Sequence, residues 1–338
     1  MVKNINIGVI GLGRIGQLHT ANIVSSIPEA TVISVADICL DDEKIAWAQK
    51  LGVKKIFEDA EKVIADPEID AVLICSSTDS HSNLIIKSAR AGKHIFCEKP
   101  LDFDIELIDK ALKEVESANV KLQVGFVRRF DHNHKKVRDV VSSGKLGKPH
   151  IIKVTSRDPE PPPIEYVKVS GGLFMDMMIH DFDMVRYLSG SEVTEVSAYG
   201  DVLIDDEIKK FDDIDTAIVM MKLENGSIGV IDNSRRAGYG YDQRTEVHCE
   251  GGCVQVTNDY PNTSMISTPA GVFLEKPLWF FLERYNEAFI SEINSFIYAI
   301  SNNENPLVDG NAGLMPVKIA LAAKKSLVEG RSIKISEI

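Results

Sequence analysis

The sequence predicts a chain that is α/β in its first 125 residues and α+β beyond them, and three observations carry the prediction. Short apolar runs alternate with helix-period segments as far as Gly125; after it the rhythm becomes polar/apolar alternation; and a glycine-rich turn joins the first apolar run to the first helical segment. At 338 residues and 44% hydrophobic composition the chain can build two packed domains.

In the first stretch, Ile5 to Ile10, Val32 to Ala36, Ala71 to Ser76, His94 to Cys97 and Lys121 to Gly125 read as strands. Between them, Arg14 to Ser26, Asp41 to Leu51, Ala60 to Ala65, Ser82 to Ala91 and Ile105 to Ala118 read as helices, with Gly52 and Gly92 where helix-terminating glycines belong. Such alternation predicts a parallel sheet covered by helices on both faces. Beyond it, a helix from Asn133 to Ser143 precedes strands at His150 to Ser156, Val193 to Val202, Thr216 to Leu223, Gly226 to Asn233, Arg244 to Cys249 and Cys253 to Val256. Turn signals such as Glu224-Asn225-Gly226 between them predict a large open, mostly antiparallel sheet. Pro159 to Pro163 excludes regular structure, a glycine-started helix is expected from Gly172 to Ser189, and helices over Phe281 to Asn302 and Asn311 to Gly330 end the pattern. The expected domains are therefore 1–125 and 126–338, with the last helix free to pack back on the first domain.

A formal charge of −12, with the densest cationic run (Arg128 to Lys136) broken by Asp131 and Asn133, leaves no basic stripe for a phosphate backbone and excludes nucleic acid as a partner. No apolar run approaches the ~18 residues of a spanning helix. Met1-Val2-Lys3-Asn4 runs straight into a strand pattern without a leader signature, so a cytoplasmic protein without a membrane partner is expected. Five scattered cysteines without a C-x-x-C pair predict thiols, most of them buried. His248, Cys249 and Cys253 are too few for a tetrahedral site and flank a hairpin turn, so no metal is expected.

The first strand leads into Gly11-Leu12-Gly13-Arg14-Ile15-Gly16, which opens a helix. Such a turn is also found as plain structure, but in this context its glycines let backbone approach a pyrophosphate whose charge is met by helix N–H groups, as in a Rossmann dinucleotide-binding domain. Asp37, at the end of the second strand, is placed to accept from the adenosine ribose hydroxyls and to repel a 2′-phosphate, which favours NAD over NADP; capping the next helix is its alternative role. Ser76, Ser77, Thr78 and His81 follow the third predicted strand, at the carboxyl edge that lines a ligand crevice. After the next strand stand Glu98-Lys99-Pro100, read as a surface turn in isolation but here able to direct an ammonium at a substrate oxygen. Asp176 and His180, spaced i and i+4, are expected on one face of a single helix. That spacing also suits a solvated pair, yet it can fix an imidazole near a reacting hydroxyl, whose proton must leave as hydride leaves its carbon.

Taken together, the glycine motif, Asp37, Glu98-Lys99-Pro100 and Gly171-Gly172 through Asp176 to His180-Asp181-Phe182-Asp183 resemble the glucose-fructose oxidoreductase/inositol dehydrogenase/rhizopine catabolism (Gfo/Idh/MocA) family over nearly the whole chain. Ser156-Arg157-Asp158-Pro159 and Asp232 to Arg244 resemble its inositol 2-dehydrogenase branch. The resemblance implies NAD-linked oxidation of myo-inositol to 2-inosose (scyllo-inosose) by a homotetramer. It implies that Lys99, Asp176 and His180 form the catalytic set: His180 takes the hydroxyl proton, Asp176 orients the imidazole and Lys99 stabilises the alkoxide. Glu98 and Lys99 join the glycine loop, Asp37 and the Ser76–Thr78 edge as expected cofactor contacts. A polyol needs several fixed donors and acceptors, and Arg128, Asp158 and Tyr241 are the candidates that join Lys99, Asp176 and His180. Another inositol isomer or a pyranose sugar as substrate, and a non-catalytic NAD-binding regulator, are the competing readings; the intact Lys99, Asp176 and His180 argue against the regulator.

Overall fold

The structure, a computed structural model, describes residues 4–338, so the Met1–Lys3 run-in lies outside the described residues. The chain divides into two compact units, one of residues up to Val127 together with Glu287–Met315, the other of Arg128–Asn286 with Pro316–Ile338.

In chain order the first unit runs β1 (Ile5–Ile10), α1 (Arg14–Ser26), β2 (Ala30–Ala36), α2 (Asp42–Lys50), β3 (Lys55–Phe57), α3 (Ala60–Ile64), β4 (Ala71–Ile74), α4 (Thr78–Arg90), β5 (His94–Glu98), α5 (Ile105–Ala118) and β6 (Leu122–Gly125). Every pairing is parallel and the order is β3-β2-β1-β4-β5-β6, so the winding direction reverses between β1 and β4. The short edge strand β3 has no counterpart in the sequence pattern, because three half-buried residues show no period. The central strands are buried on both faces, as a parallel sheet between helices requires: Ile7, Val9, Leu73 and Phe96 are fully buried.

The chain continues through a 3₁₀ turn (Val127–Phe130) into α6 (His132–Ser142), β7 (Pro149–Arg157), α7 (Ile164–Val167), α8 (Leu173–Asp176), α9 (Ile179–Ser189), β8 (Val193–Asp201), β9 (Thr216–Leu223), β10 (Ile228–Ser234), β11 (Asp242–Cys249) and β12 (Gly252–Val256). It ends with β13 (Met265–Thr268), β14 (Gly271–Leu274), α10 (Phe281–Arg284), α11 (Asn286–Asn302), α12 (Gly310–Glu329) and β15 (Ile333–Lys334). Seven of these strands form one sheet in the order β12-β11-β7-β10-β9-β8-β15. All its neighbours are antiparallel except β7 and β10, which run parallel. Alternation sorts its faces. Ile152, Val154, Val219, Met221, Ile231 and Val247 are buried, whereas Ile151, Tyr199, Ile218, Met220 and Ile228 are exposed.

Three expectations change. The first unit takes in Glu287–Met315, which a single boundary at 125/126 assigns to the second; α11 buries Ile293, Phe296 and Ile297 in the same core cluster as Ile7 and Phe96. The helix expected over Gly172 to Ser189 is broken at Met177–Met178. There Met178 N–H reaches back five residues to Leu173 and His180 N–H only three to Met177, so the four-residue ladder lapses. Both sides of the break are anchored separately: Leu173 N–H donates to Asp213, while Asp181 and Asp183 of α9 are tied to Arg128 and Arg129. Finally, only Cys97 and Cys249 are buried, since Cys39 sits in the loop after β2 and Cys253 on the edge strand β12.

Candidate active site

At the carboxyl edge of the first unit, helix ends divide into two kinds. The side chains of Asp41, Asp59 and Asp104 cap α2, α3 and α5 by accepting backbone N–H groups. The helices that follow the two strands at the winding reversal, α1 and α4, begin at Gly13 and Ser77 without any side-chain cap. Their first N–H groups therefore remain as donors at the point where doubly wound sheets take a ligand. The glycines fit the same purpose. Gly11 has φ +94°, and a Cβ there would meet the Cys75 backbone at 2.6 Å; a Cβ on Gly16 would fall 1.8 Å from the Gly11 carbonyl oxygen. A Cβ on Gly13 would meet nothing within 4 Å, so its backbone borders open space, beside the exposed Arg14 and half-buried Ile15.

Asp37 does not cap α2; Asp41 does. Instead, Leu12 N–H donates to Asp37 Oδ2 at 2.5 Å, and Cys39 N–H and Lys44 Nζ donate to Oδ1 at 2.7 and 3.1 Å. Burial alone pushes this carboxyl up, but the two N–H groups and the ammonium outweigh it and hold it below the usual carboxylate range. A fixed, ionised carboxylate at the end of β2 suits two ribose hydroxyls and opposes a 2′-phosphate. Both the loop and the acid fit NAD.

Next along the edge, Ser76 and Ser80 share a hydroxyl hydrogen bond at 2.6 Å, and Ser77 and Thr78 form the start of α4. His81 lies buried with Nδ1 2.8 Å from the Pro100 carbonyl and Nε2 3.0 Å from the Ser76 carbonyl. It ties the end of β4 to the turn after β5, and desolvation lowers its basicity. Glu98 ends β5 with its carboxylate 2.8 Å from His19 Nε2, and the half-buried Lys99 follows it.

In the second unit, Asp176 at the end of α8 is half-buried. Its Oδ1 accepts from the Tyr166 hydroxyl at 2.8 Å and its Oδ2 from Arg235 at 3.3 Å. His180 lies in the first turn of α9, beyond the break rather than one turn along a continuous helix. Asp158 follows β7, and burial pushes its carboxyl up to about 6, Arg235 opposing and Asp176 adding to the rise. Arg128, 3% exposed, donates to Asp181 Oδ1, to the Ser156 hydroxyl at 3.2 Å and to the Tyr241 hydroxyl at 3.4 Å. Tyr241 is likewise buried, and Asn233 completes Asp181 by donating to Oδ2 at 2.9 Å. Of the expected substrate contacts, Asp158 and Asp176 lie near Arg235, and Arg128 and Tyr241 form a buried group on Asp181 whose charges also act on Asp158. The pattern could not identify Arg235, His19 or Glu292 as neighbours of the candidate residues, because each comes from a distant segment, nor Tyr166, because it reaches Asp176 from a separate short helix ten residues earlier.

Residues 5–126 match the oxidoreductase family with an NAD-binding Rossmann fold, and residues 134–255 match the GFO/IDH/MocA C-terminal domain. The chain belongs to the GFO/IDH/MocA family of oxidoreductases. It is 48% identical to the myo-inositol 2-dehydrogenase of Thermotoga maritima, over 98% of this chain and 99% of that one. It is 45% identical to the inositol 2-dehydrogenase of Rhizobium meliloti, over 98% and 99%. The crystal structure of scyllo-inositol dehydrogenase from Lactobacillus casei with bound NAD(H) and scyllo-inositol superposes with a TM-score of 0.92, at 31% identity over 99% of this chain and all of that one. The fold of this family member is the expected one, a Rossmann unit followed by a mixed-sheet unit, and its cofactor is NAD.

Proposed function

We propose that this oxidoreductase is an NAD-dependent inositol 2-dehydrogenase that converts myo-inositol to 2-inosose (scyllo-inosose). One observation carries the reading: full-length identity of 45–48% to two inositol 2-dehydrogenases, in a chain whose Lys99, Asp176 and His180 stand in segments that resemble the family's motifs. The uncapped starts of α1 and α4, Asp37 and the Ser76–Thr78 edge would hold NAD, with His81 tying that edge to the turn after β5. When bound, NAD accepts the hydride from the carbinol carbon.

The chain's own groups handle the proton. His180 takes it from the hydroxyl as the C–O bond becomes a carbonyl, Asp176 orients the imidazole, and the Lys99 ammonium stabilises negative charge on the oxygen. Asp176 is itself fixed by Tyr166 and Arg235. Asp158, its carboxyl raised by burial, would contact the substrate, and Arg128 and Tyr241 would support the site through Asp181. The second unit would supply both polyol recognition and assembly. Its exposed sheet face, with Ile151, Tyr199, Ile218, Met220 and Ile228, is the surface on which a cytoplasmic homotetramer would form.

The test is NADH formation by purified protein with NAD and myo-inositol, scyllo-inositol, D-chiro-inositol, glucose or xylose, repeated with NADP. Myo-inositol with NAD is expected to give the highest kcat/KM. Preference for scyllo-inositol would move the substrate to the isomer bound by the Lactobacillus casei relative. His180→Ala is expected to lose turnover while still binding NADH, and normal turnover in that variant would refute the assignment of the base.

A further inference from the structure

The first unit contains a cluster of ionisable groups that the proposed chemistry does not use. His19 of α1 is fully buried, its ring edge-on to Phe96 and Phe289 at 5.2 and 5.7 Å between centroids. Its Nε2 lies 2.8 Å from Glu98 Oε1 and 3.8 Å from Oε1 of Glu292 on α11. Glu292 is fully buried, and neither of its carboxyl oxygens has a hydrogen-bond partner. Glu98 is held on its other side by the end of β6, where a Cβ on Gly125 would fall 2.9–3.1 Å from the carboxylate atoms.

An ionised carboxylate buried without a partner costs several kcal/mol. The groups facing Glu292 are His19 from α1, Cys75 after β4 and Glu98 from β5, with Cys97 beside Glu98. Burial pushes both thiols up, so they stay neutral and offer no compensating charge. The imidazole can donate from Nε2 to only one acid, and the distances assign that hydrogen bond to Glu98. A second negative charge beside Glu98 would then be unopposed. The three ligand-type atoms lie within 4.8 Å of one another, but the 2.8 Å separation of Nε2 and Oε1 is that of a hydrogen bond already made, not of two ligands parted by a cation.

We propose that His19 and Glu292 are positioning residues for the Glu98–Lys99 edge: His19 donates Nε2–H to the Glu98 carboxylate, and Glu292 is held as a neutral acid behind the ring. The Glu98 carboxylate is thereby clamped between an imidazole and Gly125, which fixes the backbone from which Lys99 extends and keeps one negative charge, not two, beside it. Burial and the Glu98 charge both push the Glu292 carboxyl well up, in the same sense. The inference rests on the reading of Lys99 as the group that stabilises the alkoxide.

Three measurements on the full chain test it. Infrared difference spectra of wild type minus Glu292→Gln at about pH 7, well above the ordinary glutamate range, are expected to show a protonated-carboxyl band; its absence overturns the neutral acid. His19→Leu is expected to lower kcat by roughly 10- to 100-fold through misplacement of Lys99, with KM for the polyol and NADH affinity within about threefold. His19→Gln, which keeps an N–H donor, should recover most of that loss. An effect on KM alone, or no recovery in His19→Gln, overturns the positioning role, and a stoichiometric divalent metal in the purified protein overturns the hydrogen-bond reading. The infrared band needs no substrate. It therefore decides the state of Glu292 even if Lys99→Ala keeps normal turnover, the result that removes the functional reading alone.

Discussion

The two units hold buried acid in different ways. In the second unit, Asp181 is met by Arg128 and Asn233, Asp183 by Arg129, and Asp131 by Arg284, so these three buried carboxylates stand against fixed cations, while Asp215 is held by the backbone N–H groups of Leu203, Ile204 and Asp205. In the first unit, Glu292 has no cation, and the one imidazole donor beside it, from His19, is given to Glu98. A guanidinium fixes the direction of a charged neighbour with several donors, whereas a protonated acid needs no counter-charge and costs less to bury than its carboxylate. The difference suits where the groups sit: the second unit uses ion pairs to set the angle of α9 and hence of His180, while the first keeps net charge low behind Lys99.

The strongest way to break the comparison is to remove one partner of a second-unit pair. Arg128→Met leaves Asp181 buried with Asn233 alone, and is expected to cost about 3–5 kcal/mol of unfolding free energy in urea denaturation. The double variant Arg128→Met/Asp181→Leu should recover much of that loss, because the stranded charge is gone. Equal destabilisation of the single and double variants would show that packing rather than charge holds α9.

Asp158 is the exception inside the second unit, and pH separates it from its neighbours. Its carboxyl is raised from an unfolded value near 3.8 to about 6, by burial first and with Asp176 and Asp181 adding to what Arg235 and Arg128 oppose. A raised acid binds its proton more tightly in the folded chain. Its stabilising contribution is therefore complete below the unfolded value and is lost as pH rises through about 6. Wild type should lose stability relative to Asp158→Asn across that window and run parallel to it above. The difference is at most about 3 kcal/mol, reduced by the solvent that the half-buried side chain retains. Parallel curves across the window would place Asp158 among the ionised, paired acids.

Asp37 shows a third arrangement, an ionised acid held chiefly by backbone N–H groups. Asp37→Ala removes the ribose acceptor and leaves Lys44 without its carboxylate, so kcat/KM with NAD should fall by roughly 10- to 100-fold while that with NADP rises. An unchanged NAD/NADP ratio would assign Asp37 to the loop alone.

How much of this was legible in the sequence follows from range. The glycine loop, Asp37 and the carboxyl-edge residues Ser76 to Thr78 and Glu98-Lys99 were readable because strand, turn and helix are consecutive there, and periodicity marks each boundary. The break between Asp176 and His180 was not, because it depends on Arg128, Arg129 and Asp213 pulling the two short helices from different segments. For the same reason Arg128 reads from its position as a substrate contact, while its nearest carboxylate lies 53 residues away in the chain. The parallel pairing of β7 with β10 escaped too, since alternation specifies which face a strand buries but not which neighbour it takes.

The smallest expected effect tests the one candidate catalytic acid held partly by a neutral donor. Tyr166 sits on α7, directly after the proline run, with its ring exposed and its hydroxyl on Asp176 Oδ1. The exposed ring contributes little to folding, so Tyr166→Phe isolates the hydrogen bond. One neutral donor to a carboxylate is worth about 1.5 kcal/mol at the low end for a charged acceptor, which corresponds to roughly tenfold in rate. If Tyr166 fixes Asp176 for its work on His180, that factor should appear in kcat rather than in KM or unfolding free energy. A change in KM alone would instead make the Tyr166 hydroxyl a contact to the polyol, and would leave Arg235 as the group that orients Asp176.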